Sequence, residues 1–219
     1  GAGMGGAGGA GAGNVFYNQG ESCNAPTRLY VEASIKDAFM KKVAAHVASF
    51  QPGDPLDPAT TMGAIVDDIQ MNGVLKYIES GKTEGAELIA GGQQCRQESG
   101  GYFIEPTIFV TNKNHTIARE EIFGPVLSAM TFETEAEAIA LANDSIYGLQ
   151  AGVWTADISR AHRVARALKA GTVHINQYND DDITVPFGGY KQSGNGRDKS
   201  LHSMDKYCEL KTTWIKIDY

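Results

Sequence analysis

The chain has 219 residues, of which 42% are hydrophobic and 21% charged, and a formal net charge of −7. That length buries a sizeable core without covalent staples, and the acidic balance excludes a general nucleic-acid binder, which needs a basic face to neutralise phosphates. Cys23, Cys95 and Cys208 are widely spaced, so they read as reduced thiols of a cytoplasmic protein, not as a disulfide framework or a metal site.

Residues 1–13 (GAGMGGAGGAGAG) are all Gly, Ala or Met. Such a segment has almost no side chain to bury and pays heavily in backbone entropy to become ordered. It reads as a linker, a cloning remnant or residues whose side chains went unidentified, with a small-residue helix as the alternative. The G-x-G-x-x-G spacing of Gly1, Gly3 and Gly6 is not a phosphate-binding fingerprint, because no strand precedes it.

From Asn14 the composition is ordinary. RLYVEA (28–33) predicts a strand. Ser34 then predicts a helix N-cap with Asp37 at the third helical position, and Phe39, Val43 and Val47 give that helix one apolar face. The helix should end before Pro52, where PGDPLDPATT reads as loop. A second helix over 67–80 should stop at Gly81. AELIAGG (86–92) reads as a strand and turn, and GYFIEPTIF (101–109) as extended, with Pro106 pointing to an edge or irregular position. Then follow a strand (125–132), a helix (135–143), a turn at Tyr147 and Gly148, a strand (149–155), a helix (158–171) ending at Gly171, and a strand (172–176). Strands alternating with helices predict an α/β fold with a largely parallel sheet and flanking helices, spanning 14–200. Ligands of such sheets sit at the C-terminal ends of the strands, where the motif-bearing loops are expected. ELKTTWIKI (209–217) reads as a strand-like tail within 201–219 that adds to another subunit's sheet. No apolar run approaches the ~20 residues of a membrane span, and no signal-peptide pattern is visible.

Three segments carry chemistry. In FYNQGESCNAPTRL (16–29), Cys23 follows Gly20 and precedes a strand. A free cysteine is most often a small buried hydrophobe, but Asn18, Gln19, Glu21, Ser22 and Asn24 make this surrounding polar. The thiolate is the reactive form. In REEIFGPVL (119–127), the carboxylates form either a solvated turn or an acceptor for ribose hydroxyls, with the aromatic beside a flat ring. NQYNDDDITVPFGGYKQSGNGRD (176–198) is a Gly-rich loop directly after an apolar strand, where binding residues are often placed.

FYNQGESC resembles the active-site cysteine signature of the aldehyde dehydrogenase superfamily, and EEIFGPV and PFGGYKQSGNGR resemble two further signatures of it, in the right order and at the right separation. The likeness covers residues 14 to 219. PLDPATTMGA, the VPFGGYKQSGNGRDKSLH run and the ELKTTWIKI tail look most like the bacterial subgroup acting on γ-glutamyl-γ-aminobutyraldehyde and related aminoaldehydes.

The resemblance implies NAD(P)-dependent oxidation of an aldehyde to a carboxylic acid. Cys23 would be the nucleophile, passing through a thiohemiacetal and a thioester, with its backbone N–H in the oxyanion hole. Glu121 would hold a cofactor ribose, Phe123 would lie against the nicotinamide, and Gln70 would add a ribose contact. Phe187 and Tyr178 would line the substrate tunnel, and Asp182 with its neighbours would favour the positive end of an aminoaldehyde, against the plainer reading of a solvated acidic loop. No metal is implied, the partner is a small-molecule aldehyde with neither nucleic acid nor membrane, and the parent protein would be a homodimer or homotetramer. The family's cofactor domain, with its glycine loop, ribose Lys, oxyanion Asn and Glu general base, cannot be located in these residues, so the 219 residues alone are expected to be nearly inactive. A CoA-acylating dehydrogenase and a non-catalytic assembly domain are the alternative readings.

Overall fold

A computed structural model describes residues 12–178 and 182–218. The organising strand is β6 (Val126–Phe132), whose first five residues are all buried. A strand covered on both faces reads as a continuous apolar run. It pairs in parallel with β1 (Arg28–Glu32) on one side and with β5 (Thr107–Val110) on the other. The fourth strand of this sheet, β2 (Glu87–Ala90), is antiparallel to β5. The strand order is therefore β1-β6-β5-β2. A short antiparallel ladder joins β3 (Gln94–Cys95) to β4 (Phe103–Ile104), and a separate parallel pair joins β7 (Gln150–Val153) to β8 (Thr172–Ile175). The expected α/β architecture with a mostly parallel sheet is what the chain forms.

Alternation along the central strands sends side chains into two cores. Ile108, Leu127 and Ala129 pack with Phe39, Met40, Val43 and Val47 of α1 (Lys36–Val47) and with Val15 and Phe16. Phe109 and Val126 point the other way, onto Met71, Val74 and Ile78 of α2 (Asp68–Thr83) and Ile117 of α3 (Thr116–Arg119). Each fully buried side chain of this size contributes roughly 1.5–3 kcal/mol. The predicted apolar face Phe39, Val43, Val47 is the buried face of α1. The remaining helices are α4 (Glu135–Asn143) and α5 (Ile158–Ala167). Among the described residues, no helix is long and apolar enough to cross a membrane.

Several boundaries differ from expectation, each for a physical reason. Ser34 does not cap α1: a 3-10 turn (Ala33–Ile35) leads into it, and the Ser34 hydroxyl donates to Glu32 at 3.0 Å. Gly81 does not stop α2, which runs on to Thr83. It is buried, and a Cβ there would stand 2.9 Å from the Ile117 Cδ1, so glycine lets α3 approach. Pro106 takes the irregular one of its two expected positions. It separates β4 from β5, which lies inside the sheet. The α5 helix ends at Ala167, because Leu168 turns extended (ψ 128), well short of Gly171. A Cβ on Gly171 would overlap the Gly188 carbonyl, so that glycine serves a crossing of two loops. Within a single chain the described residues 208–218 form no strand, and Leu210, Trp214, Ile215 and Ile217 are exposed.

Ala12 and Gly13, the last residues of the Gly/Ala-rich segment, are buried at the start of a 3-10 stretch (Ala12–Gly20), with Gly13 close against His46. Residues 1–11 lie outside the described residues.

Candidate active site

The loop bearing Cys23 is set up by the residues before it. Val15 and Phe16 are fully buried and anchor the chain. Asn18, Gln19 and Gly20 then all have positive φ (49, 48 and 78°). A run of left-handed residues reverses the chain, at a cost that asparagine and glycine bear more easily than glutamine. Glu21 brackets the loop: it accepts from Gln19 at 2.8 Å and from the Val66 N–H at 3.2 Å. The Ala25 N–H donates to the Ser22 carbonyl at 3.0 Å, closing a turn with Cys23 exposed at its tip. The Ser22 hydroxyl donates to the Asn24 side chain at 2.7 Å.

The EEIFGPV segment packs directly against this loop. A Cβ on Gly20 would overlap the Gly124 carbonyl and come within 2.7 Å of the Pro125 nitrogen. Gly124 in turn lies on Val74 of α2. Phe123 has φ 55° and is half-buried, while Ile122 before it is buried. Two helical side chains fix the segment through three hydrogen bonds. The Gln70 amide donates to the carbonyls of Ile122 (3.2 Å) and Phe123 (2.8 Å), and the Tyr77 hydroxyl donates to Glu120 at 2.8 Å. That bond to Glu120 raises the Tyr77 phenol above its ordinary value. Glu121 is exposed.

The third segment folds back on itself. Asn176, at φ 56°, exchanges two side-chain bonds of 2.9 Å with the Thr155 backbone. Tyr178 is buried, stacks on Trp154, meets the His174 ring at a tilt, and donates its hydroxyl to the Asn24 carbonyl at 2.8 Å. Burial pushes its phenol well above the ordinary value, with Gln150 acting in the opposite sense. Asp182 is exposed and accepts from the Thr184 N–H and hydroxyl, both at 2.7 Å, which lowers its carboxyl below the ordinary value. Its neighbours Asp180 and Asp181 lie outside the described residues. Phe187 is half-buried, bridged through its backbone to Asp198, with the Lys199 ammonium 5.5 Å from its ring centre. Further on, the Tyr190 N–H reaches the Gly148 carbonyl at 2.8 Å, and Ser193 accepts from the Gly148 N–H at 3.0 Å.

These segments enclose a cleft of about 120 Å³ in which Cys23, Glu121 and Phe123 meet. Gln70, Phe187, Tyr178 and Asp182 do not line it. Gln70 instead buttresses the Phe123 segment, and Tyr178 supports the Cys23 turn from behind. The other walls include Arg28, Gln150, Lys169 and Ser193, none of them singled out from sequence. Ser193 sits inside the third signature and was within reach of a motif reading. Arg28, Gln150 and Lys169 belong to ordinary strand and connection sequence and carry no such signal.

The location corrects one expectation. Cys23 precedes β1, Phe123 precedes β6, Gln150 opens β7 and Ala170 precedes β8. The cleft therefore lies at the N-terminal ends of the strands, and the third segment, which leaves the C-terminal end of β8, reaches it only by doubling back.

Comparison with known proteins gives a consistent answer. Residues 7–213 match the model of the "Aldehyde dehydrogenase family". The chain is 53% identical over 208 residues to the NADP/NAD-dependent aldehyde dehydrogenase PuuC of Escherichia coli (strain K12), covering 94% of this chain and 41% of that protein. Its fold is similar to an indole-3-acetaldehyde dehydrogenase of P. syringae solved with NAD+ (58% identity, TM-score 0.95, 98% of this chain and 43% of that one). It is also similar to a gamma-glutamyl-gamma-aminobutyraldehyde dehydrogenase of Burkholderia cenocepacia J2315 (52% identity, TM-score 0.93, 96% and 43%). The chain thus spans about two fifths of the length of the relatives it matches.

Proposed function

This chain belongs to the aldehyde dehydrogenase family, and on that premise we propose that it carries the catalytic part of an enzyme oxidising an aldehyde to a carboxylic acid with NAD or NADP. The observation that supports this most is the convergence of Cys23, Glu121 and Phe123, from two distant segments, on one cleft. An exposed carboxylate and a half-buried aromatic ring lining the same cleft as the thiol fit a cofactor's ribose hydroxyls and flat nicotinamide. When bound, that cofactor supplies the hydride acceptor.

The chain's own residues account for the rest. The Cys23 thiolate attacks the aldehyde carbon and forms the carbon–sulfur bond of a thiohemiacetal. The backbone N–H of Cys23 faces the developing oxyanion, where a preorganised donor acts in the transition state. Loss of hydride leaves a thioester on Cys23, and water releases the acid. Glu121 would hold the cofactor's ribose and Phe123 would orient its nicotinamide ring. Phe187 and Asp182 lie outside this cleft, so a substrate-side role for them, with Asp182 favouring a cationic end, applies only to an aldehyde that extends beyond it. The exposed apolar tail from Leu210 to Ile217 serves assembly into a homodimer or homotetramer of the parent protein.

Glu21, the carboxylate beside Cys23 in sequence, is committed to holding the loop. None of the carboxylates described at the cleft is assigned as a general base, and loss of such a base costs about 10²–10⁴-fold, so we infer that the 219 residues by themselves turn over slowly. The test is aldehyde-dependent NADH formation, with the acyl group located by mass spectrometry. Ordinary family rates from these residues alone would refute the expected near-inactivity. Acyl label on Cys95 or Cys208 in place of Cys23 would refute the choice of nucleophile. Acyl transfer to CoA in preference to water would favour the CoA-acylating alternative.

A further inference from the structure

Two hydrogen bonds run in series behind Cys23. The buried Tyr178 hydroxyl donates to the Asn24 carbonyl at 2.8 Å, across 154 residues of sequence. The N–H of that same peptide unit, on Ala25, donates to the Ser22 carbonyl at 3.0 Å. The Ser22 carbonyl shares its peptide unit with the N–H of Cys23. Hydrogen bonds in series through peptide units polarise one another in the same sense. The chain Tyr178 O–H, peptide 24–25, peptide 22–23 therefore ends on the Cys23 N–H and strengthens it as a donor.

We propose that Tyr178 is a positioning residue that enhances oxyanion stabilisation at Cys23 through this relay and does not line the substrate site. The proposal rests on the reading of Cys23 as the nucleophile. Its geometry is rigid: the ring is wedged against Gly152, where a Cβ would stand 2.9 Å from it, and stacks on Trp154 at 6.4 Å between centres. Burial keeps the phenol protonated through the working pH range, so the donor is constant.

The test separates oxyanion chemistry from simple thiol access. In acylation by 4-nitrophenyl acetate, the Cys23 sulfur bonds to the ester carbon, charge builds on the carbonyl oxygen, and 4-nitrophenolate leaves. Alkylation by iodoacetamide displaces iodide at carbon and builds no oxyanion. Removing one oxyanion donor costs about 10²–10³-fold, and a series partner changes a hydrogen bond by about 10–30%, so Tyr178→Phe should lower acylation about two- to eightfold. Alkylation of Cys23 should stay unchanged, with exposed Cys208 as the internal standard. Site-specific 3-fluorotyrosine at position 178, a stronger donor that keeps the ring packing, should raise the acylation-to-alkylation ratio. An unchanged ratio in both variants, or an equal fall of both rates, would overturn the relay. A wild-type Cys23 that acylates no faster than Cys208 would overturn the nucleophile reading beneath it.

Discussion

Gly20→Ala tests the contact on which the candidate site is built. Gly20 has φ 78°, and a Cβ would overlap the Gly124 carbonyl and crowd the Pro125 nitrogen. Holding a non-glycine residue left-handed costs about 1–2 kcal/mol. Inserting a methyl into closed packing costs about 1–3 kcal/mol. One displacement of the loop relieves part of both, so the expected loss is about 2–4 kcal/mol. For a chain of this size that lowers the melting temperature by roughly 4–16 °C. Gly100→Ala is the control: its φ is 72°, yet nothing lies within 4 Å of where its Cβ would be, so only the backbone cost applies. Urea unfolding followed by tryptophan fluorescence gives both values. The Cys23 alkylation rate should change in Gly20→Ala and not in Gly100→Ala, because only the first separates the Cys23 loop from the Phe123 segment. Equal losses for the two variants would refute the claim that the first two signatures are locked together at this point.

Two further outcomes follow from the helices that hold the cleft. The Asp67 carboxylate caps α2 by accepting from the Gln70 N–H at 2.7 Å, so Asp67→Ala should cost about 0.5–2 kcal/mol in urea unfolding; because Gln70 also holds the Phe123 carbonyl, the same variant should speed amide hydrogen exchange in the Phe123 segment. Glu84 accepts from the Ser80 hydroxyl (2.6 Å) and the Thr116 N–H (2.7 Å), and these bonds hold its carboxyl down at about 2. A carboxyl lowered on folding stabilises above its unfolded value, near ~4.3, and that contribution disappears as pH falls through the folded value. Glu84→Gln should therefore be less stable than wild type by a constant margin above pH about 5, a margin that shrinks toward pH about 2. A margin independent of pH would show that the charge on Glu84 plays no part.

Much of this protein is written in local pattern. The buried run of β6, the apolar stripe of α1 and the alternation of strand and helix all follow from side-chain periodicity, which depends on neighbours a few residues away. The three signatures were also legible, because each packs its chemistry into a short stretch: a thiol in a polar turn, carboxylates beside an aromatic, a Gly-rich loop. The roles of single glycines were not legible. Gly81 looked like a helix stop and Gly171 like a helix end, but one admits Ile117 and the other lets two loops cross. Those reasons lie on other elements, so no window around either glycine contains them.

The site divides in the same way. Residue types near Cys23 place its thiol in a polar turn, and only the resemblance carried by the three signatures together marks Cys23, Glu121 and Phe123 as candidate site residues. Only the tertiary structure decided that the three share a cleft at the N-terminal ends of the strands, that Arg28, Gln150 and Lys169 help to wall it, and that Tyr178 acts on the Asn24 carbonyl from behind. Sequence spacing carries the period of a helix or strand. It does not carry the direction in which a loop doubles back, because that is set by which distant surfaces can close against each other without overlap.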